Sequence, residues 1–222
     1  MPPNPSPSKR VERRRLVVLG IAWGIAALAP HAAHAAVFDL AELMRMLAQS
    51  RAGEATFVER REVAMLDRTL ESSGRLSFEA PDTFIRETLK PRRERMAVTG
   101  NTVTLSQGDR TRTMELDASP EAAVIVEAIR GTLTGNRAAL ERVFQPTLTG
   151  TAAHWTLDLV PREPRLQGQV ASVRVRGEHG VVHEVNVLLA DGDRSVMTIE
   201  PVGTRKPGTA ARPASTGGSG PR

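Results

Sequence analysis

Residues 74–101 read GRLSFEAPDTFIRETLKPRRERMAVTGN, and their alternation decides the fold. Leu76 and Phe78 alternate with Arg75, Ser77 and Glu79 until Pro81 breaks the run. Phe84, Arg86 and Thr88 share one face of the next run, which Pro91 ends. Met96 and Val98 then alternate with Arg95 and Ala97 before Gly100-Asn101 turns the chain. A period of two marks strands with one buried face and one wet face. The stretch therefore predicts three short strands in one sheet.

The same pattern extends outward in both directions. Before it, Asp39-Leu40-Ala41-Glu42 has the form of a capping box, and Leu40, Leu43, Met44 and Leu47 recur at helical spacing, so a helix is expected over 39–49. A strand follows over 55–66; its charged middle, 59–62 with Arg60-Arg61, suggests an exposed or edge position. Further strands are expected over 70–79, 83–90 and 92–98, then a hairpin of 102–106 and 112–116 around Gln107-Gly108-Asp109. Ser119-Pro120-Glu121 is a helix start, with a cap, a proline in the first turn and an acid at the positive end. One helix is expected over 120–133 and a second over 136–144, with Pro146 closing the helical region. Strands resume at Trp155, Leu157 and Leu159, at Val173 and Val175, over 181–189 and over 196–200. Ten or eleven antiparallel strands in a single sheet must curl. The expected class is mainly β (α+β): an open antiparallel β-barrel with a helical lid over its concave face. A two-layer α+β sandwich is the alternative.

The ends differ from the middle. Lys9, Arg10, Arg13, Arg14 and Arg15 precede an apolar run over 16–29, and Ala33-His34-Ala35 supplies small residues where a signal peptidase reads. Residues 1–35 are thus expected to be an export signal cleaved before Ala36. The alternative, a membrane anchor, suffers from an apolar run of about 14 residues where roughly 20 span a bilayer. Arg13-Arg14 raises the twin-arginine route, but Glu12 makes the match poor, and Sec and twin-arginine export both stay open. Residues 203–222 are Gly, Pro, Ala, Ser and Thr with four basic residues, a composition expected to be disordered. The formal charge of +5 belongs to these ends, because 36–202 holds 21 basic and 24 acidic residues. A nucleic-acid partner, which needs a basic patch on the fold, is not expected. There is no cysteine, hence no disulfide and no cysteine-linked lipid anchor. A single domain over 36–202, monomeric and periplasmic, is expected.

Catalytic constellations are missing from the pattern. His179 and His183 flank a hairpin turn rather than sharing a helix face, so no metal is expected. Ser72, Ser73 and Ser195 have no nucleophile-elbow context. The 131–135 segment lacks a P-loop lysine, and Asp191 and Asp193 read as turn residues around Gly192. Neither an enzyme nor a cofactor is expected.

An ordered set of residues resembles LolA, the periplasmic carrier of lipoproteins from inner to outer membrane. The set runs Phe57, Gly74-x-Leu76, Pro81-x-x-Phe84, Pro91, Gly100 before a strand, and Gly180-x-x-His183-x-Val185 through Asp193 to Ile199. It covers most of 38–200. The resemblance implies an open β-barrel whose cavity takes acyl chains. It also implies an acylated lipoprotein or other lipid as cargo, an inner-membrane release complex and an outer-membrane acceptor. LolB, of the same fold class, is anchored through a cysteine, so the mobile role fits this chain better. Members of the fold class also accompany polyene-pigment and lipid biosynthesis, which leaves a pigment precursor as an alternative cargo and a lipid- or protein-sensing module as an alternative role. One departure stands out: the family's lid-holding arginine, immediately before the proline matching Pro81, is Ala80 here.

Alternation nominates the cavity wall as Phe57, Leu76, Phe78, Phe84, Met96, Val98, Leu105, Trp155, Leu157, Val173, Val185 and Met197. The lid candidates are Val124, Ile125, Ile129, Leu133, Leu140 and Phe144. Each can equally be plain core. Arg86 shares the face of Phe84, so it points either into the cavity, toward a headgroup or the lid, or out to solvent.

Overall fold

The computed structural model describes residues 38–66 and 68–203. The expected export signal, and all but the first residue of the expected disordered tail, lie outside the described residues.

Eleven strands form one antiparallel sheet in the order β6-β5-β4-β3-β2-β1-β11-β10-β9-β8-β7. In chain order these are β1 (Ala52–Glu62), β2 (Thr69–Glu79), β3 (Thr83–Lys90), β4 (Glu94–Thr99), β5 (Thr102–Gln107), β6 (Arg110–Glu115), β7 (Phe144–Thr151), β8 (His154–Pro161), β9 (Val170–Glu178), β10 (Val181–Leu189) and β11 (Arg194–Pro201). Edges remain at β6 and β7, so the sheet is not closed. The helices are α1 (Leu40–Leu47), α2 (Pro120–Leu133), α3 (Arg137–Val143) and a single turn, α4 (Pro164–Gln167). This is the open, helix-lidded antiparallel barrel expected from alternation.

Local chemistry accounts for the helix boundaries. Asp39 accepts from the Glu42 amide at 2.9 Å, but Glu42 pairs with Arg45 instead of completing the capping box. Ser119 accepts from the Ala122 amide with Pro120 in the first turn, and Asn136 caps α3 through the Ala139 amide at 3.0 Å. Such caps satisfy amides that have no partner inside the helix.

Three expectations change. The first strand is not at an edge: β1 is the sixth of eleven, paired with β2 on one side and β11 on the other. Its charges fit there because they separate by face. Arg60 lies outside beside Glu71, while Glu59 points inward to partners of its own. Second, the helical region ends before Pro146 as expected, but a strand that was not expected begins there and contains the proline. The chain enters β7 at Phe144, and a proline is tolerated because β7 is an edge strand that pairs only with β8. Third, α3 ends at Val143, so Phe144 is a strand residue.

Gly74 shapes the middle of the sheet. The β2–β3 register shifts between Ser73 and Gly74, leaving Leu89 as an extra residue. A side chain on Gly74 would start 1.9 Å from the Glu87 carbonyl oxygen, and the Phe57 ring covers the vacant space from the opposite strand. The bulge lets the strands bend, as a curling sheet requires.

The core divides into two parts. The larger packs Leu43, Met44 and Leu47 of α1, Val124 and Ala128 of α2 and Leu140 of α3 against Phe144, Trp155, Leu157, Leu159, Val173 and Val175. The smaller holds Val98, Val103 and Leu116 with Phe84, Met96, Leu105 and the first turns of α2. Helix α2 therefore bridges both ends of the sheet. Each fully buried aliphatic side chain contributes about 1.5–3 kcal/mol.

Candidate functional site

Between the two cores, under α2, lies a cavity of about 630 Å³. Its wall is built by β1–β4, β10 and β11, and α2 supplies Ala122, Ile125, Val126, Ile129 and Leu133. The size falls within the roughly 300–1,000 Å³ of ligand sites. A shallower hollow of about 390 Å³ sits around Gly74 and includes Val58, Arg75, Leu89 and Glu200.

Of the residues nominated by alternation, the structure places Leu76, Phe78, Phe84, Arg86, Met96, Val98, Val185 and Met197 on the cavity wall, with Ile125, Ile129 and Leu133 above it. The others lie elsewhere. Trp155, Leu157 and Val173 are sealed in the larger core beneath the helices, and the Trp155 indole donates to the His179 carbonyl at 2.8 Å. Val124, Leu140 and Phe144 belong to the same core. Leu105 packs beside the smaller core. Phe57 is on the inward face but only 2% exposed, because the Arg86 guanidinium stacks 4.8 Å from its ring centroid. The sheet's concave face is thus one surface in sequence and two in the fold: a filled half under α1–α3 and an open half mainly under α2.

Several wall residues were not nominated. Ile199 and Val187 line the cavity and continue the alternation of Met197 and Val185, so the signal for them was present. Glu59 had no such signal, since a carboxylate on an apolar wall is unexpected.

Glu59 is the polar centre of the wall. Its Oε1 accepts from the Ser195 hydroxyl at 2.5 Å, and its Oε2 accepts from the Ser72 hydroxyl at 3.1 Å and from Arg86 Nη2. Arg86 Nη2 also donates to Ser72 at 3.2 Å. Burial pushes the Glu59 carboxyl upward, but the Arg86 charge and the three donors outweigh it and hold the group below the ordinary glutamate value. Arg86 accordingly points inward, and its protein partners are on β1 and β2 rather than on a helix.

A different arginine ties the lid down. Arg130 of α2 donates from Nη2 to the Gly100 carbonyl in the β4–β5 turn at 2.6 Å, and its Nη1 meets Glu127 at 3.3 Å. A main-chain carbonyl has no signature in sequence, so this contact was not foreseeable from spacing.

Among curated proteins none matches the sequence significantly. A LolA superfamily protein from Nitrosomonas europaea is 9% identical at a TM-score of 0.42, covering 72% of this chain and 89% of that one. MucB in the Pseudomonas aeruginosa MucA/MucB complex is 16% identical at a TM-score of 0.41, covering 73% of this chain and 56% of that one. The Mycobacterium tuberculosis lipoprotein LppX is 9% identical at a TM-score of 0.37, covering 72% and 93%. The model of one family matches residues 32–201, nearly the whole described region. By that match, the chain is a divergent member of the family described as outer membrane lipoprotein carrier protein LolA-like.

Proposed function

We propose that the protein is a periplasmic carrier that shelters an acyl chain of a lipoprotein in the cavity under α2 and moves it from the inner toward the outer membrane. The observation that carries this reading is the cavity itself: about 630 Å³, walled mainly by aliphatic and aromatic side chains. An acyl chain in water costs roughly 0.8 kcal/mol per methylene, so one of about sixteen carbons needs near 12 kcal/mol of shelter. An apolar wall provides that without reactive groups. Release requires the lid to move, and α2 is joined to the open half of the sheet mainly through its first turns and the Arg130–Gly100 contact. Export and loss of residues 1–35 belong to this reading, as do a donor complex at the inner membrane and an acceptor at the outer one.

Native mass spectrometry of protein purified from a periplasm tests it. A bound acylated peptide supports lipoprotein cargo, and a bound lipid or polyene precursor shifts the cargo while keeping the carrier. Protein that emerges empty and captures no acyl compound from vesicles contradicts the proposal.

A further inference from the structure

The hydrogen-bonding capacity left in the middle of the cavity wall is on Arg86. Both oxygens of Glu59 are occupied, Oε1 by Ser195 and Oε2 by Ser72 and Arg86. Arg86 carries five N–H groups. Its Nη2 serves Glu59 and Ser72, its Nε is buried with no partner, and its Nη1 has no protein partner among the described residues. The side chain is 27% exposed and lines the cavity. An arginine can only donate, so what remains to be satisfied here is an acceptor's place.

Register puts this donor at a boundary. On the inward face Arg86 pairs across strands with Leu76 and Met96. Toward the start of β1 the wall is Ala55, Leu76, Phe78, Phe84 and Ile199. Toward its end the wall turns polar: Glu59, Arg61, Ser195 and Asp193. In that polar part Arg61 is matched with Asp193 at 3.2 Å and Arg86 with Glu59, and Arg194 stands opposite Glu62 across strands. With these charges matched, the uncommitted group there is the Arg86 Nη1 donor, which suits an acceptor.

We infer that Arg86 orients the cargo, donating from Nη1 to an oxygen at the head of the acyl chain (a carboxylate or an ester carbonyl), with the hydrocarbon running from there under Ile125 and Ile129. The inference rests on the acyl-cavity reading and adds a ligand class to it: an acyl compound is held by its carbonyl end, and a bare hydrocarbon of the same length is not. A head that offers only donors, such as an alkylammonium, finds no partner at this point.

The test uses three sixteen-carbon probes of graded head, palmitate, methyl palmitate and hexadecane, each displacing an apolar fluorophore from the purified protein. A hydrogen bond from a charged donor predicts a preference for the oxygen-bearing probes of about tenfold or more over hexadecane. Palmitate ahead of methyl palmitate assigns the acceptor as a carboxylate, and equal binding assigns it as a carbonyl; both support the inference. The Glu59→Gln/Arg86→Met double variant, which removes both charges together, loses the preference. Glu59→Gln alone releases Arg86 from its ion pair and raises the palmitate-to-hexadecane ratio. Circular dichroism confirms the fold of each variant, and the single variant decides the matter if the double one does not fold. Equal binding of all three probes, or a preference that survives in the double variant, overturns the role of Arg86 and leaves the cavity reading intact. Failure of every probe to bind overturns the cavity reading and this inference with it.

Discussion

Removing one half of the Glu59–Arg86 pair should cost far more than removing both. In Arg86→Met the methionine stem still covers Phe57, so packing is largely kept. The Glu59 carboxylate, 15% exposed, keeps its two serine donors and loses the cation paired with it. Breaking a buried pair by removing one partner costs about 3–5 kcal/mol. The Arg86 side chain is 27% exposed, and the surviving serine bonds offset part of the loss, so about 2–4 kcal/mol is expected here. The double variant Glu59→Gln/Arg86→Met leaves no unpaired charge and should recover most of that. Urea unfolding followed by circular dichroism reads both, with the midpoint shifting and the slope unchanged if only stability is altered. A single-variant loss below about 1 kcal/mol would refute the reasoning, because that is the scale of an exposed pair. So would a double variant as unstable as the single one.

The same carboxylate sets an acid dependence. Its folded pKa is depressed, so its stabilisation is complete above the ordinary glutamate value and is lost as pH falls through the folded one. Glu59→Gln should therefore flatten the fall in stability below about pH 4.5, seen as a smaller drop in melting temperature than in the parent. Gly74→Ala should destabilise by about 1–3 kcal/mol, toward the upper end because the obstructing Glu87 oxygen, 1.9 Å from the new carbon, is main chain; thermal melting checks this, and an unchanged melting temperature contradicts the bulge geometry. Arg130→Met removes the bond to Gly100 and should cost about 1–3 kcal/mol. Hydrogen exchange should quicken in α2 ahead of β8 and β9, and uniform quickening would mean that α2 is not a separately moving lid.

Alternation revealed the strands of 74–101 because Leu76, Phe78, Phe84, Met96 and Val98 share the inward face that carries the cavity wall, and a one-sided apolar environment leaves a period of two. The α2 boundaries were equally legible, since Ser119, Pro120 and Glu121 act within one turn. Long-range consequences were not. Leu157 and Phe84 look alike as inward strand residues, yet one is sealed by α1–α3 packing and the other borders open space. That difference depends on where helices land, which periodicity does not encode. Arg60-Arg61 suggested an edge because a sequence does not show that Glu59 has Arg86, Ser72 and Ser195 waiting on other strands. Pro146 suggested a break because pairing on one side only, which makes a strand proline harmless, is a property of the sheet order.

The central claim is that acyl chains occupy the space under α2. A palmitate analogue with a photoreactive group near its methyl end, bound to the purified protein and irradiated, tests it directly when the labelled residues are mapped by peptide mass spectrometry. Labels on Phe78, Phe84, Ile129 and Ile199 are predicted. Labels confined to the shallow hollow at Val58 and Leu89, or no saturable labelling, would contradict the account.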